Sequence, residues 1–374
     1  MLLDSIANQG SRGGHFGFRL AGMAAAAYSL LIIYASLQPF DAWQWHDVGF
    51  GSFVHAPWPL WITTEDVLFN VLAYLPLGFL VTLGLLHRRH AALAVTAGIL
   101  LCALLSFLME SVQQFLPTRI ASNVDLLVNT LGAAVGALLA PLFSPGHHVA
   151  AQLTALRGRW LIEGRQADAA LLIAGLWLIT HASAHAVVLG AGDLRAWLPV
   201  DSAFDFSPSG FLISESVVAA LNLTGIALML GSVTRTGSTP FWRLLGVLLA
   251  TALLIKAGSY TWLLRGSDPW VWITPGLMIG AVCATLLTAV LMHLRHRWRA
   301  VLALLFLCTA VVVVNRMPEN PYRQPAAQSA VQRGGHVRSF SGMVRALSDL
   351  WPFLAMATLL VSLPGRYPGR NHGL

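Results

Sequence analysis

Three apolar stretches between Asp66 and Gly136 carry carboxylates, amides and an arginine at positions that a helix would bring together. Side chains four residues apart lie on one face of a helix, and Asp66 and Asn70 have this spacing, as do Asp125 and Asn129. Ionisable groups inside membrane helices are costly and therefore mark candidate functional sites. Carboxylates beside an arginine are suited to hydrogen bonding with a polar headgroup, or to proton transfer at one. The candidate binding residues are Asp66, Asn70, Glu110, Gln113, Arg119, Asp125 and Asn129.

The composition indicates the class of protein in which these residues lie. The chain has 374 residues, of which 56% are hydrophobic and 10% charged, whereas about 25% of residues are charged in a soluble domain. We therefore expect an all-α, polytopic transmembrane helical bundle. The basic residues are mostly arginines in short runs between apolar segments, a pattern typical of topology determinants rather than of a nucleic-acid-binding surface.

Apolar runs of about 20 residues predict about ten transmembrane spans. Arginine counts over the connecting loops favour an orientation with both termini inside, although the last outer loop also holds five arginines. The predicted spans are residues 20–38, 66–87, 91–116, 124–143, 168–190, 213–233, 243–264, 271–293, 300–315 and 347–363.

These spans suggest a front half and a back half joined on the cytoplasmic side. The predicted parts are a cytoplasmic segment 1–19, a four-helix membrane domain 20–143, a cytoplasmic linker 144–167, a six-helix membrane domain 168–363 with an outer loop at 316–346, and a cytoplasmic tail 364–374. The first outer loop is rich in aromatic residues, Gly and Pro. It either lies on the outer headgroups or forms a lid over the polar site below it.

Each candidate residue also has a structural interpretation. Thr63 to Asp66 and Ser122 to Asp125 both fit the capping pattern of a helix start, and in this interpretation both aspartates serve only in capping. Asn70 and Asn129 would then be interhelical hydrogen-bonding groups. Glu110 is not at a helix start and is predicted to lie roughly 10 Å below the end of its span. It either forms a structural ion pair with Arg119 or belongs to a site.

The same residues carry a family resemblance. The pattern D-x3-N-x5-P-x-G, followed by E-x2-Q-x3-P-x-R and D-x3-N-x2-G-x3-G, resembles the VanZ-like family of bacterial membrane proteins over about residues 20–143. The matching positions include Pro76 and Pro117 besides the seven candidate residues. That family takes its name from a protein linked to teicoplanin resistance, so the resemblance implies involvement in the cell envelope without implying a reaction. The back half resembles the extension of longer VanZ-like proteins.

A secondary polar cluster is predicted in the back half, formed by His181, His185, Glu215 and Lys256. Buried charges need partners, which favours a Lys256–Glu215 pair. The two histidines have a spacing that fits one helix face, but two histidines alone are a weak metal signal, so no metal is predicted. No nucleotide, hydrolase or zinc motif is present in the sequence, and no cofactor is expected.

We therefore expect an integral protein of the bacterial cytoplasmic (inner) membrane that binds or handles a lipid-linked or glycolipid envelope component at the outer leaflet. Arg119 would bind an anionic group, Glu110 would orient it, and the amides would hydrogen-bond. The expected partners are membrane lipids or lipid-linked intermediates, without nucleic acid. Alternative hypotheses are an enzyme acting on a lipid headgroup, an ion-coupled transporter or a structural membrane partner. The sequence leaves open whether catalysis occurs.

Overall fold

A computed structural model describes the backbone of residues 2–38, 40, 43–45, 49–60, 62–86, 90–144, 147–182, 189–195, 197–235, 238–263, 270, 272–318 and 336–363. Within these residues the chain is all α-helical, apart from turns, two short 3-10 helices and an isolated antiparallel bridge between Leu161 and Thr234. The helices are α1 (Leu2–Leu37), α2 (Thr64–Leu85), α3 (Ala91–Gln113), α4 (Asn123–Leu139), α5 (His148–Trp160), α6 (Arg165–Thr180), α7 (Pro208–Val233), α8 (Ser238–Leu263), α9 (Pro275–Leu291), α10 (His296–Arg316) and α11 (His336–Ser362).

Eight of the described helices contain a segment long and apolar enough to cross a membrane, which confirms the predicted helical membrane class. The count is lower than the ten spans expected, because α6 has 16 residues and α9 has 17. The predicted fifth span, 168–190, therefore ends early as a helix. The Thr180 hydroxyl donates to the Trp177 carbonyl at 2.6 Å, and the His181 amide bonds three residues back to Leu178. A backbone bond of this three-residue type tightens the last turn of a helix.

The last helix, like α1, begins well before its predicted span. We expected a span at 347–363 after an outer loop at 316–346, but α11 begins at His336. Most of the predicted loop and the whole predicted tail, 364–374, lie outside the described residues. The chain divides into two units, Met1–Gly158 with Gly334–Met343, and Arg159–Arg333 with Val344–Leu374. The boundary at Gly158 falls inside the linker predicted from the sequence.

In the first unit, α2 and α4 pack so closely that their backbones touch. Added methyl groups at Gly78 and Gly136 would clash with backbone atoms of the opposite helix, those of Ala133 and of Leu75 respectively. A methyl group at Gly132 would lie 2.6 Å from the Val71 carbonyl oxygen. Small residues allow such close approach, which is how membrane helices gain packing contacts. A core cluster that includes Ile32, Tyr74, Leu77, Cys102 and Ala133 joins α1 and α3 to this pair.

In the second unit, α7 is the central helix. It is apolar around its whole circumference, as expected of a helix that neighbours cover on all sides, and α9 and α10 pack most extensively against it. A polar contact joins two other helices of this unit: the Trp351 indole of α11 donates to the Ile173 carbonyl of α6 at 2.8 Å. Arg195 makes a paired contact with the Asp193 carboxylate, with distances of 2.8 and 2.6 Å.

The close contact of α2 and α4 generates a stability prediction. Gly132→Ala should lower the free energy of unfolding by about 1–3 kcal/mol, because the new methyl group forces two backbones apart. Gly22→Ala on α1 is the matched control, since an added methyl group there meets no atom within 4 Å. Unfolding of both variants in detergent would be followed by circular dichroism. A Gly132→Ala protein as stable as the Gly22→Ala protein would contradict the described packing.

Candidate functional site

The first aspartate of the pattern lies in a capped helix start, whose cap is Thr63. The Thr63 side chain accepts a hydrogen bond from the Asp66 amide at 3.1 Å and donates one to the Asp66 carboxylate at 2.6 Å. The Thr63 cap agrees with the helix start that the sequence predicted, with the Asp66 carboxylate bonded to the Thr63 hydroxyl. Asp66 is thus engaged at the start of α2, one turn before the residues that meet α4.

The second helix start has the same sequence pattern but different bonds. The Ser122 hydroxyl accepts from the amides of Val124 and Asp125, at 3.2 and 3.4 Å. In a complete capping box the acid at the third helical position would accept the Ser122 amide proton. Here the Glu110 carboxylate of α3 accepts that bond, at 2.9 Å. The Asp125 carboxylate is therefore available to α2, where Asn70 Nδ2 donates to it at 2.9 Å.

These bonds bring two carboxylates together in a buried environment. Glu110 is only 5% exposed, and the charges of both Asp125 and Arg119 are close enough to act on it. Two nearby negative charges repel strongly where water is scarce. A shared proton, a hydrogen-bond donor or a cation between two such carboxylates relieves this repulsion, so a ligand that supplies a donor or a cation suits the arrangement.

A second group of polar residues lies one helical turn away from Glu110 on α3 and from Asp125 on α4. Asn129 Nδ2 donates to Ser106 Oγ at 2.9 Å, and Ser106 is also hydrogen-bonded to the Tyr74 hydroxyl. Asn129 is 4% exposed, and its Oδ1 atom is buried without a hydrogen-bond partner among the described residues. A buried acceptor without a donor costs about 1–3 kcal/mol, and a ligand that supplies the donor would recover that energy.

The side chains of Gln113 and Arg119 bind the end of α1. Gln113 Nε2 donates to the Ser36 carbonyl at 2.8 Å, and Arg119 Nη2 donates to the carbonyls of Ala35 and Gln38 at 2.9 and 3.3 Å. Arg119 also contacts the Ser339 hydroxyl. The last carbonyls of a helix lack partners within the helix and attract positive charge. These two side chains therefore close the C-terminal end of α1.

The described part of the connection between α1 and α2, predicted as the first outer loop, packs against the same ends of α3 and α4. Its 3-10 turn, Ser52–His55, places the buried ring of Phe53 at 5.8 Å from the ring of Phe107. Ser52 donates to Gln114 at 2.7 Å, and Asn123 donates to the Ala56 carbonyl at 2.7 Å. The loop is thus fixed beside the polar residues, and its function as a lid stays a prediction.

The structure brings four of the seven candidate residues into one group. We name it the carboxyl–amide cluster, and it consists of Asn70, Ser106, Glu110, Ser122, Asp125 and Asn129. The sequence interpretation missed Ser106 as a member, although it precedes Glu110 by four residues and so shares its helix face. Ser122 was expected only as a cap, and its backbone contact with Glu110 has no sequence signal.

The secondary cluster of the back half is described in part. Lys256 is 1% exposed, with its ammonium 5.4 Å from the centre of the Tyr260 ring, and its charge acts on the buried His181. Glu215 accepts a hydrogen bond from the Thr274 hydroxyl at 2.6 Å. His185 lies outside the described residues. Within the described part of the chain, no three His, Cys, Asp or Glu side chains are grouped as a metal ion requires.

The bond between Asn70 and Asp125 is testable by a double-mutant cycle. Because the pair joins two helices, Asn70→Ala and Asp125→Ala should show a coupling energy of about 0.6–1.7 kcal/mol in the free energy of unfolding. As a control, Asn70→Ala is combined with Ser144→Ala, which removes a local hydroxyl bond to the Pro141 carbonyl beyond the other end of α4. That control pair should be additive, and equal coupling in both cycles would refute the assignment.

Comparison with known proteins identifies the front segment. Residues 18–144 match the family model described as VanZ/LLP1, about a third of the chain, and they include the membrane part of α1 together with α2, α3 and α4. We found no match to this chain among curated proteins or solved structures. All members of the carboxyl–amide cluster lie within the matched residues. The front segment of this membrane protein is therefore VanZ-like, as the sequence pattern predicted.

Proposed function

We propose that the VanZ-like segment binds the headgroup of a lipid-linked or glycolipid component of the bacterial envelope through the carboxyl–amide cluster. The observation that carries this proposal is the buried Oδ1 atom of Asn129, which has no hydrogen-bond partner among the described residues and lies one turn from a pair of carboxylates. Such a group is costly in a membrane helix unless it serves a ligand. The proposed ligand is a lipid because the site lies at the ends of helices able to cross a membrane.

The balance of donors and acceptors suggests the chemistry of the headgroup. Two carboxylates and the Asn129 carbonyl are acceptors, while the Asn70 amide and the Ser122 amide already donate within the cluster. The favoured ligand therefore supplies donors, as sugar hydroxyls and N–H groups do. In the sequence hypothesis Arg119 bound an anionic group of the ligand. The proposal no longer gives Arg119 that role, because Arg119 holds the end of α1.

The proposed location follows from the arginine pattern. With both termini inside, the starts of α2 and α4 and the end of α3 face outwards, which places the cluster in the outer leaflet of the cytoplasmic membrane. On that basis we propose that the protein is a multi-pass protein of the bacterial inner membrane. An effect on sensitivity to glycopeptide antibiotics would fit a protein that binds envelope lipids at this surface.

The test is mass spectrometry of the lipids that the full-length protein retains when it is extracted into native nanodiscs. The wild-type protein should be enriched in a sugar-bearing lipid relative to the bulk membrane. Glu110→Gln should lower that enrichment about tenfold, because the amide replaces one acceptor oxygen by a donor and an unmade buried hydrogen bond costs about 1–3 kcal/mol. The glutamine carbonyl can still accept the Ser122 amide proton, so the fold should be retained.

Glu65→Gln provides the matched control. It makes the same chemical change on the exposed first turn of α2, outside the cluster, and should keep the wild-type lipid. Thermal unfolding of each variant separates loss of ligand from loss of fold. The proposal is wrong if the wild-type protein carries only bulk lipid, or if Glu110→Gln retains the same lipid as the control.

A further inference from the structure

The segment between the front and back halves contains a helix that the carboxyl–amide cluster does not use. Helix α5 has no buried residue, which sets it apart from the apolar helices around it in the sequence. Three large apolar side chains on it are nevertheless exposed, Val149 by 44%, Leu153 by 52% and Leu156 by 40%. Trp160, at the end of the helix, instead packs against the apolar cluster around Leu161.

The three exposed apolar residues form a single stripe. They are separated by four and three residues, which places them on one face of a helix. We name this stripe, Val149, Leu153 and Leu156, the α5 stripe. Ala151 and Ala155 occupy the other side of the helix and are exposed too. The large apolar side chains of helix α5 therefore lie on one face, while the opposite face carries only small ones.

The charges of α5 indicate which kind of surface this helix binds. The helix contains Arg157 and Arg159 and no acidic residue, and it begins with a histidine that follows another histidine. Arg157 is half-buried and Arg159 is exposed. A basic helix with an apolar stripe is the type that lies in the interface of a membrane containing anionic lipids.

The position of α5 in the chain supports the same partner. The membrane-spanning candidate Asn123–Phe143 ends five residues before His148. Five extended residues reach at most about 18 Å, so the start of α5 is held near the membrane boundary. The arginine pattern assigns this boundary to the cytoplasmic side, where the leaflet surface is negatively charged.

We propose that α5 is an interfacial helix whose stripe enters the cytoplasmic leaflet and whose arginines bind anionic lipid headgroups. This inference is independent of the proposed function of the carboxyl–amide cluster. The area involved is small, so α5 acts as an anchor for the connection between the halves rather than as a further span.

Spin-label accessibility in the full-length protein tests this proposal. The three cysteines Cys102, Cys283 and Cys308 are first replaced, and a single label is placed by Leu153→Cys or, as a matched control on the opposite face, by Ala151→Cys. Each protein is reconstituted into vesicles of phosphatidylcholine alone or of phosphatidylcholine and phosphatidylglycerol in equal parts. We expect the label at position 153 to be more accessible to oxygen than to a water-soluble nickel complex, and the label at position 151 to show the reverse.

Anionic lipid should move the label at position 153 deeper, and the combined Arg157→Gln and Arg159→Gln changes should cancel that shift. High salt should weaken the shift too, because it screens charges at the surface. Equal exposure of both labels to the nickel complex would overturn the proposal. So would a label at position 153 shielded from both reagents in both vesicles, which would show that protein covers the stripe. A depth independent of phosphatidylglycerol would refute the assignment of anionic headgroups.

Discussion

The hydrogen bond from the Ser122 amide to the Glu110 carboxylate determines how the polar groups of the front segment are arranged. It takes over the backbone donor that a local capping acid would otherwise bind, so Asp125 becomes available to Asn70 on α2. One contact thereby links the end of α3, the start of α4 and the first turns of α2. It also holds two carboxylates close together, and this proximity is the basis for assigning a donor-rich ligand to the site.

The glycines on α2 and α4 determine whether these side chains can meet. Asn70 and Asp125 are both short, so the bond between them requires the helix axes to be close. Gly132 and Gly136 on one helix and Gly78 on the other provide that proximity, since their backbones lie directly against the opposite helix. Packing and chemistry are therefore coupled in this pair of helices, because any residue that separates the backbones also lengthens the polar contact between them.

Hydropathy and helical spacing predicted the membrane helices and four members of the cluster, because both signals depend on residues close in sequence. Asp66 and Asp125 have the same local pattern, and only the tertiary partner of Ser122 makes them different. No spacing rule shows that Gln113 and Arg119 bond to carbonyls of α1 about eighty residues away, since backbone acceptors leave no sequence signal. The length of α6 was overestimated because the apolar run in the sequence continues past Thr180, where the helix ends.

The contacts that hold the end of α1 restrict substitution more on one side than on the other. Its end is bound through the main-chain oxygens of Ala35, Ser36 and Gln38, which are present whatever side chains those positions carry. The donors are side chains, and a guanidinium or a terminal amide at that reach has few substitutes. Substitution should therefore be tolerated unequally on the two sides of this contact. A saturation mutagenesis profile should show that Ala35 and Ser36 tolerate more substitutions than Gln113 and Arg119 do.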